Sequence, residues 1–351
     1  MTYGGPSFVQ GVMGVNLTPI ITRHQVDLEH FRGKTLAVDA SIELYQFLSI
    51  VRLRDGSSLM DSNGHVTSHL SGIVFRTTRL IADYGIRPIF VFDGRPPVLK
   101  EAEIEKRREA RKKALEEYEK AKAAGDMATA WSKVVMSSRL TREMVNDAKY
   151  LLGLLGIPWV QAPSEGEAQA ALMVQKGMAH SVAGKDYDSL LFGAPRLARF
   201  VALQSREFLP SQGRYRPSPP ETVDLDENLG VLGLSRKQLI EVAMLVGTDY
   251  NEGVKGIGPK RALEAVRKFG SLERLPIGIQ DKLPENRLLI RNYFLFPEVD
   301  DPPQVEAKRL DFEGAMRFLC EDRDFAEDRV KKALEKLEKS RPSTTLDEFV
   351  E

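Results

Sequence analysis

Cysteine is almost missing from this chain: Cys320 is the one example among 351 residues. A disulfide framework and a cysteine-based zinc site both need more than that, so both are excluded. Histidine is scarce as well, limited to His24, His30, His65, His69 and His180. His65 and His69 have the i, i+4 spacing of a helical metal pair, but the polar turn DSNG at 61–64 places His65 in a loop. No apolar run approaches the ~20 residues of a membrane span. No charged-then-apolar leader opens the chain, and no internal repeat is found. A soluble, cytoplasmic, monomeric protein is expected. Net charge is also missing, since 50 Lys and Arg balance 50 Asp and Glu. The total therefore gives no electrostatic case for nucleic acid, and only the placement of charge is informative.

What is present reads as α/β. Apolar residues make up 42% and charged residues 28%, enough to bury one large core or two modest ones. Short apolar runs at 34–39, 88–93, 158–160 and 180–183 suit buried parallel strands. Between them lie helical patterns: one from Ser41 as N-cap to about 53, then 67–84, 100–122, 140–155 and 163–176. The run at 100–122 is almost all Ala, Glu, Lys and Arg, the composition of an exposed charged helix. Short strands with a Pro- and Ser-rich loop fit 198–224, and an amphipathic helix fits 235–247. Strands alternating with helices predict a mostly parallel central sheet flanked by helices, with ligands at the carboxyl ends of its strands.

The acids fall where that rule puts a site. Asp39 ends LAVD, Asp93 ends FVFD, and Asp186 and Asp188 follow the run at 180–183. Glu165 and Glu167 open the helix before that third run, and Asp249 closes the helical run after it. Each acid alone has a structural reading, such as a turn or cap, and Ser164 with Glu167 spells a capping box. Asp186 and Asp188 share a face if the backbone there is extended. Together, seven carboxylates in one pocket would repel one another and call for divalent cations. Oxygen-only ligation favours Mg²⁺ or Mn²⁺. A pair of such ions can activate water and stabilise the leaving oxygen in phosphodiester hydrolysis. Right after Asp249, the glycine-punctuated stretch 253–261 offers backbone N–H groups and Lys255, Lys260 and Arg261 for phosphate. A metal-dependent nuclease is the reading of the residues themselves.

The motifs VDAS at Asp39, VFDGRPP at 91–97, APSEGEA at 162–168, KDYDSL at 185–190 and GTDYNEGVKGIGPKRA at 247–262 resemble those of the flap endonucleases, especially the archaeal type. The resemblance runs in order over roughly 13–269. It implies a single nuclease domain over 13–338, with an N-terminal nuclease region (13–110), a helical arch (about 98–136), an internal nuclease region (137–270) and a C-terminal helical region (271–338). It implies that Asp39, Asp93, Glu165 and Glu167 hold one Mg²⁺ and that Asp186, Asp188 and Asp249 hold a second. It also implies cleavage of 5′ flaps on branched DNA in replication and repair, with 5′–3′ exonuclease action. Lys100 and Arg107 match the family's catalytic basic pair; seven apart, they share a helical face. Gly256, Gly258 and Lys260 match its helix–two-turn–helix element, where the family also binds K⁺. Tyr45, Arg52, Thr67 and Arg76 match its duplex- and junction-binding region, and Thr67, Arg323 and Phe325 its pocket for a short 3′ flap.

Both ends depart from the pattern. The family's start is a Met-Gly pair corresponding to Met13-Gly14, with the glycine close to the active site, so 1–12 read as an extension or a misassigned start. The tail 339–351 keeps Leu346 and Phe349 of the sliding-clamp motif, but Ser343 and Val350 replace its Gln and one aromatic. Weak clamp binding is expected, because such anchors carry much of the interface energy. A related ribonuclease and a non-catalytic junction binder are the competing readings; the former lacks the arch and glycine turn, and the latter should have lost acids.

Overall fold

The computed structural model describes residues 14–53, 56–201, 206–209 and 214–340. Apolar runs this short cannot cover themselves, and the chain buries them side by side. Strands β1 (His24–Gln25), β2 (Thr35–Asp39), β3 (Arg87–Phe92), β4 (Trp159–Gln161), β5 (Ser181–Gly184), β6 (Arg196–Arg199) and β7 (Glu221–Asp224) form one sheet in the order β1-β7-β6-β5-β2-β3-β4. The five strands from β6 to β4 pair parallel, and β7 and β1 add an antiparallel edge. The expected mostly parallel sheet is what forms.

Alternate residues of each strand feed opposite faces. Ala37, Ile89, Val91, Val160, Val182 and Leu197 point to a core shared with the helices Gly166–Gln175 and Arg236–Val246. Leu36, Val38, Phe90 and Phe92 point to a second core with Phe47, Leu70, Ile73, Leu151 and Leu334. The sheet is thus buried on both sides, which leaves its strand ends as the exposed places where polar chemistry can sit. Parallel pairing sends Asp39 and Asp93 to the same edge: Asp39 pairs with Val91 in register, and Asp93 follows two residues later.

Several local expectations change. The first helix is Ala40–Ile50, and its cap is Asp39, whose side chain accepts from the Ile42 N–H; Ser41 lies inside the helix. The run at 67–84 is interrupted by a π-helical turn, Ile73–Thr77, between Ser68–Gly72 and Thr78–Tyr84. The charged run is the helix Glu101–Ala123; Gly125, at φ +73°, turns the chain into Met127–Met136, which packs back against it as a helical hairpin. The helix before Asp249 stops at Val246, and Asp249 sits in the turn of a small hairpin, Gly247–Thr248 with Asn251–Glu252. The backbone leaves no room for a side chain there: a Cβ on Gly253 would lie 2.0 Å from the Val246 carbonyl oxygen.

The same kind of close approach joins the ends of β3 and β4. Gly94 donates to the Ser164 carbonyl at 2.6 Å, and a Cβ on Gly94 would lie 2.2 Å from the Pro163 carbonyl oxygen. Gly94→Ala should therefore cost about 1–3 kcal/mol, the usual overpacking penalty. Urea unfolding should show a lower midpoint with an unchanged slope.

Candidate active site

Four main-chain N–H groups aim four of the acids. Asp39 Oδ1 accepts from Ile42 at 2.9 Å, and Asp93 Oδ1 from Gly166 at 2.7 Å. Asp188 Oδ1 accepts from Val15 at 2.9 Å, and Asp249 Oδ1 from Gly14 at 3.1 Å. Each bond fixes one carboxylate oxygen and leaves the other to face its neighbours. The expected capping box at Ser164 does not form. Glu165 is the N-cap of Gly166–Gln175 without a side-chain cap bond, and the Gly166 N–H goes to Asp93 instead. Glu165 and Glu167 still enter the site from the first turn. Asp186 and Asp188 do not share an extended face, because β5 ends at Gly184 and Asp188 opens a short helix, Asp188–Leu191.

All seven acids act on one another. Burial and the charges of Asp93, Asp186 and Glu165 raise the pKa of Asp39. Burial and the charges of Asp188, Asp39 and Asp186 raise that of Glu167. Burial with Asp249 nearby pushes Asp186 up to about 7, and burial with Asp249 and Asp186 pushes Asp188 up to about 8. Glu165 is raised by burial despite Lys100. Asp249 is the exception: despite its burial, Lys100, Arg107 and the Gly14 N–H hold it below the usual carboxylate range. Acids scattered from Asp39 to Asp249 in the chain thus meet at the carboxyl edge of the sheet.

The countercharge comes from the helical hairpin. Lys100 Nζ lies 2.7 Å from Glu165 Oε2 and 3.2 Å from Asp249 Oδ2. Arg107 Nη2 lies 2.7 Å from the same Asp249 oxygen, while its Nε bonds Glu103 at 2.9 Å. The pair expected to share a face does so, and that face meets the carboxylates. Among the described residues no group of three or more acidic, histidine or cysteine side chains is arranged to hold a metal ion; Lys100, between Glu165 and Asp249, takes up part of the charge. The donor set is all oxygen and its negative charge is in surplus, which fits hard divalent cations.

Other expected residues are placed less directly. Tyr45 is half-buried and feels the charges of Arg111, Arg52 and Arg107. Arg52 donates to the Gly56 carbonyl at 2.7 Å and to the Ser138 hydroxyl, so it fastens a loop to the segment after the hairpin. Thr67 is buried, and Arg76 lies beside buried Glu43. Arg323 pairs with Asp147 at 2.9 Å, and Phe325 packs on Phe75. Gly256 has φ +84°, and Gly258 caps the helix Pro259–Phe269, with Lys255, Lys260 and Arg261 exposed around it. Leu346 and Phe349, like 1–13, lie outside the described residues.

Sequence reasoning missed the residues that hold the ligand loops. Arg199, buried at the end of β6, donates to the Lys185 carbonyl at 2.8 Å and to the Tyr187 hydroxyl at 2.9 Å, and pairs with Glu221 at 2.7 Å. It therefore clamps the Asp186–Asp188 turn. Gln161 donates to the carbonyls of Phe92 (3.2 Å), Asp93 (2.7 Å) and Ala162 (3.2 Å), tying two acid-bearing loops together. Gly14 lies against Asp186, where a Cβ would come within 2.7 Å of Asp186 Cβ. Strand-end position was the available signal for Arg199 and Gln161, whereas Gly14 lies beside the acids as the resemblance implies.

A pocket of oxygen donors at a parallel sheet's carboxyl edge, crossed by a basic helical hairpin, defines a class of nuclease. Comparison with known proteins agrees. The chain matches the XPG N-terminal domain over 11–114 and the XPG I-region over 156–249. It is 49% identical over 329 residues to flap endonuclease 1 of Archaeoglobus fulgidus, covering 93% of this chain and 96% of that one. The structure of flap endonuclease-1 from Methanococcus jannaschii superposes with a TM-score of 0.72 at 39% identity, covering 93% and 98%. The catalytic core of Rad2 in complex with DNA substrate follows at 0.66 and 27% identity, covering 91% and 96%. The chain belongs to the flap endonuclease family.

The raised carboxyls make a sign-defined prediction for protein kept in EDTA. Asp186 and Asp188 hold protons in the fold up to about 7 and about 8, whereas the unfolded chain releases them near pH ~4. Between those limits the folded state binds more protons, so stability falls as pH rises. The thermal midpoint should drop from pH ~5 to ~8 and level off above; a rising midpoint over that window would refute the assignment.

Proposed function

We propose that the chain cleaves the 5′ flap strand of branched DNA at its junction with duplex, with 5′–3′ exonuclease action, as a Mg²⁺-dependent phosphodiester hydrolase. The observation that carries this reading is the seven-carboxylate pocket whose countercharge, Lys100 and Arg107, comes from the hairpin above it. Asp39, Asp93, Glu165 and Glu167 would hold one ion, and Asp186, Asp188 and Asp249 the other, with Mn²⁺ as a substitute. When bound, such a pair supplies a water of lowered pKa and a charge against the leaving oxygen.

The protein's part is placement and charge. Main-chain N–H bonds keep one oxygen of Asp39, Asp93, Asp188 and Asp249 occupied, so the free oxygens have fixed directions. Lys100 and Arg107 stand close enough to exchange carboxylate contacts for the scissile phosphate, where they offset developing charge. The glycine turn with Lys255, Lys260 and Arg261 takes duplex phosphates without reading sequence, and K⁺ binds at that turn. The half-buried Tyr45 offers a ring face for stacking on a base at the junction. Arg52, Thr67 and Arg76 shape that junction surface, and the tail docks weakly on a sliding clamp through Leu346 and Phe349. The enzyme acts as a monomer.

Asp186→Asn should abolish cleavage of a labelled double-flap substrate in Mg²⁺ while leaving flap-DNA binding largely intact. Unchanged turnover would remove Asp186 from the ligand set. Lys100→Ala should slow single-turnover cleavage by about 10²–10³ if the ammonium stabilises transition-state charge. A loss of less than about tenfold would return it to a solvated helix residue.

A further inference from the structure

The opposite edge of the sheet, where the parallel strands begin, gathers basic side chains that form no ion pair among the described residues. Lys34 immediately precedes β2, His180 immediately precedes β5, and Arg196 opens β6. Because β5 lies between β2 and β6, strand spacing of ~4.8 Å sets Lys34 and Arg196 roughly 10 Å apart at the backbone, with His180 between them. Their positions are pinned: the His180 N–H bonds the Thr35 carbonyl at 2.7 Å, and Arg196 Nε donates to the His180 carbonyl at 2.8 Å. From the turn Leu28–Phe31, His30 brings Nε2 within 3.2 Å of Lys34 Nζ.

Other bases of this chain meet acids, as Arg199 does Glu221 and Arg291 does Glu241. Among the described residues Lys34, His180 and Arg196 form no ion pair. The groups facing His180 are Lys34, Arg196, His30 and the Ser181 hydroxyl; those facing His30 are Lys34 and Asp27. Asp27 is the one acid in that set, and Asp224 stands opposite Arg196 in the pairing of β6 with β7, without an ion pair between them. Burial and these like charges push His180 down to about 4, and burial with Arg196 pushes Lys34 down. The cluster is short of an anion.

We propose that this edge is a binding site for a phosphate group, held between Lys34 and Arg196 over the His180 ring. A phosphate group offers anionic oxygens, each able to accept more than one bond, to three donors: the ammonium, the free end of the guanidinium and an imidazole N–H. The site is separate from the acid pocket, since the strands between them are about 15 Å long at ~3.3 Å per residue. Its ligand is a free phosphate or a phosphodiester of a nucleic-acid strand.

The test is NMR of the imidazole resonances of His180 and His30 in the full chain, in EDTA, during titration with inorganic phosphate. Saturable shifts at both rings are expected, because a bound anion offsets the cations that disfavour imidazolium. Lys34→Gln should weaken binding by about tenfold, or 1.4 kcal/mol. That variant is the decisive one, because Lys34 contacts the Phe31 ring and His30 Nε2 but holds no main-chain group, whereas Arg196 also anchors a carbonyl. A short single-stranded oligonucleotide moving the same rings, with the effect lost in Lys34→Gln, identifies a phosphodiester as the source. Shifts with inorganic phosphate alone identify free phosphate, and either result supports the site. Silence of both rings with both ligands, or unchanged affinity in Lys34→Gln, overturns it.

Discussion

Like charges forced into one dry edge of a sheet are the constraint on which this molecule turns. Folding brings Asp39, Asp93, Glu165, Glu167, Asp186, Asp188 and Asp249 together because the strands are parallel and their carboxyl ends coincide. Burial then penalises the ionised forms of Asp39, Glu167 and Asp188, and their neighbours add to the penalty. Such a pocket must either keep protons or find cations. Lys100 and Arg107 are the cations the chain itself provides, and both converge on Asp249, the one acid of the set held low. The contact therefore does two jobs: it relieves the pocket and it anchors the helical hairpin to the sheet. Any incoming positive charge competes with the hairpin for the same oxygens, and any incoming phosphate competes with the oxygens for the hairpin. Coupling between hairpin position and site occupancy follows from electroneutrality alone.

Precision in the pocket comes from the backbone more than from side chains. Acids that repel one another would splay apart unless held. The main-chain N–H groups of Gly14, Val15, Ile42 and Gly166 supply fixed donors for four of them. Glycine is needed where these donors approach: Gly14 lies against Asp186, and a Cβ on Gly166 would come 2.9 Å from Asp93 Oδ1. Arg199 and Gln161 act one layer out, bonding carbonyls of the acid-bearing loops rather than the acids. Acids assembled from five chain segments are held in place through this outer layer.

Much of this was legible in the sequence, because runs such as TLAVD and PIFVFD carry both their strand type and the acid at their end. The parallel sheet, its carboxyl-edge site and the seven acids follow from that pattern. Local geometry was less legible, since short polar residues at helix starts have several ways to bond. Ser41 and Asp39 both suit a cap, and tertiary position gave the role to Asp39. Ser164 and Glu167 spell a capping box, yet Asp93, distant in sequence, takes the N–H that closes the turn. Asp249 was assigned to a helix end because VAMLVG is apolar throughout, and only the Gly247 backbone at φ +116° shows why the helix stops. Arg199 and Gln161 could not be separated from ordinary edge residues without knowing which carbonyls lay beside them.

The zero net charge, uninformative as a total, results from poles that cancel. Acids collect where the parallel strands end, and unpaired bases collect where they begin, at Lys34, His180 and Arg196. A polyanion approaching the acid edge is repelled unless other cations lead it in. Those cations are on elements outside the sheet: the hairpin with Lys100 and Arg107, and the glycine turn with Lys255, Lys260 and Arg261. In the proposed reaction, nucleic acid is gripped by appended elements while the sheet edge does chemistry on it. This division of labour explains why the helical hairpin and the turn must both border a pocket whose own charge opposes the substrate.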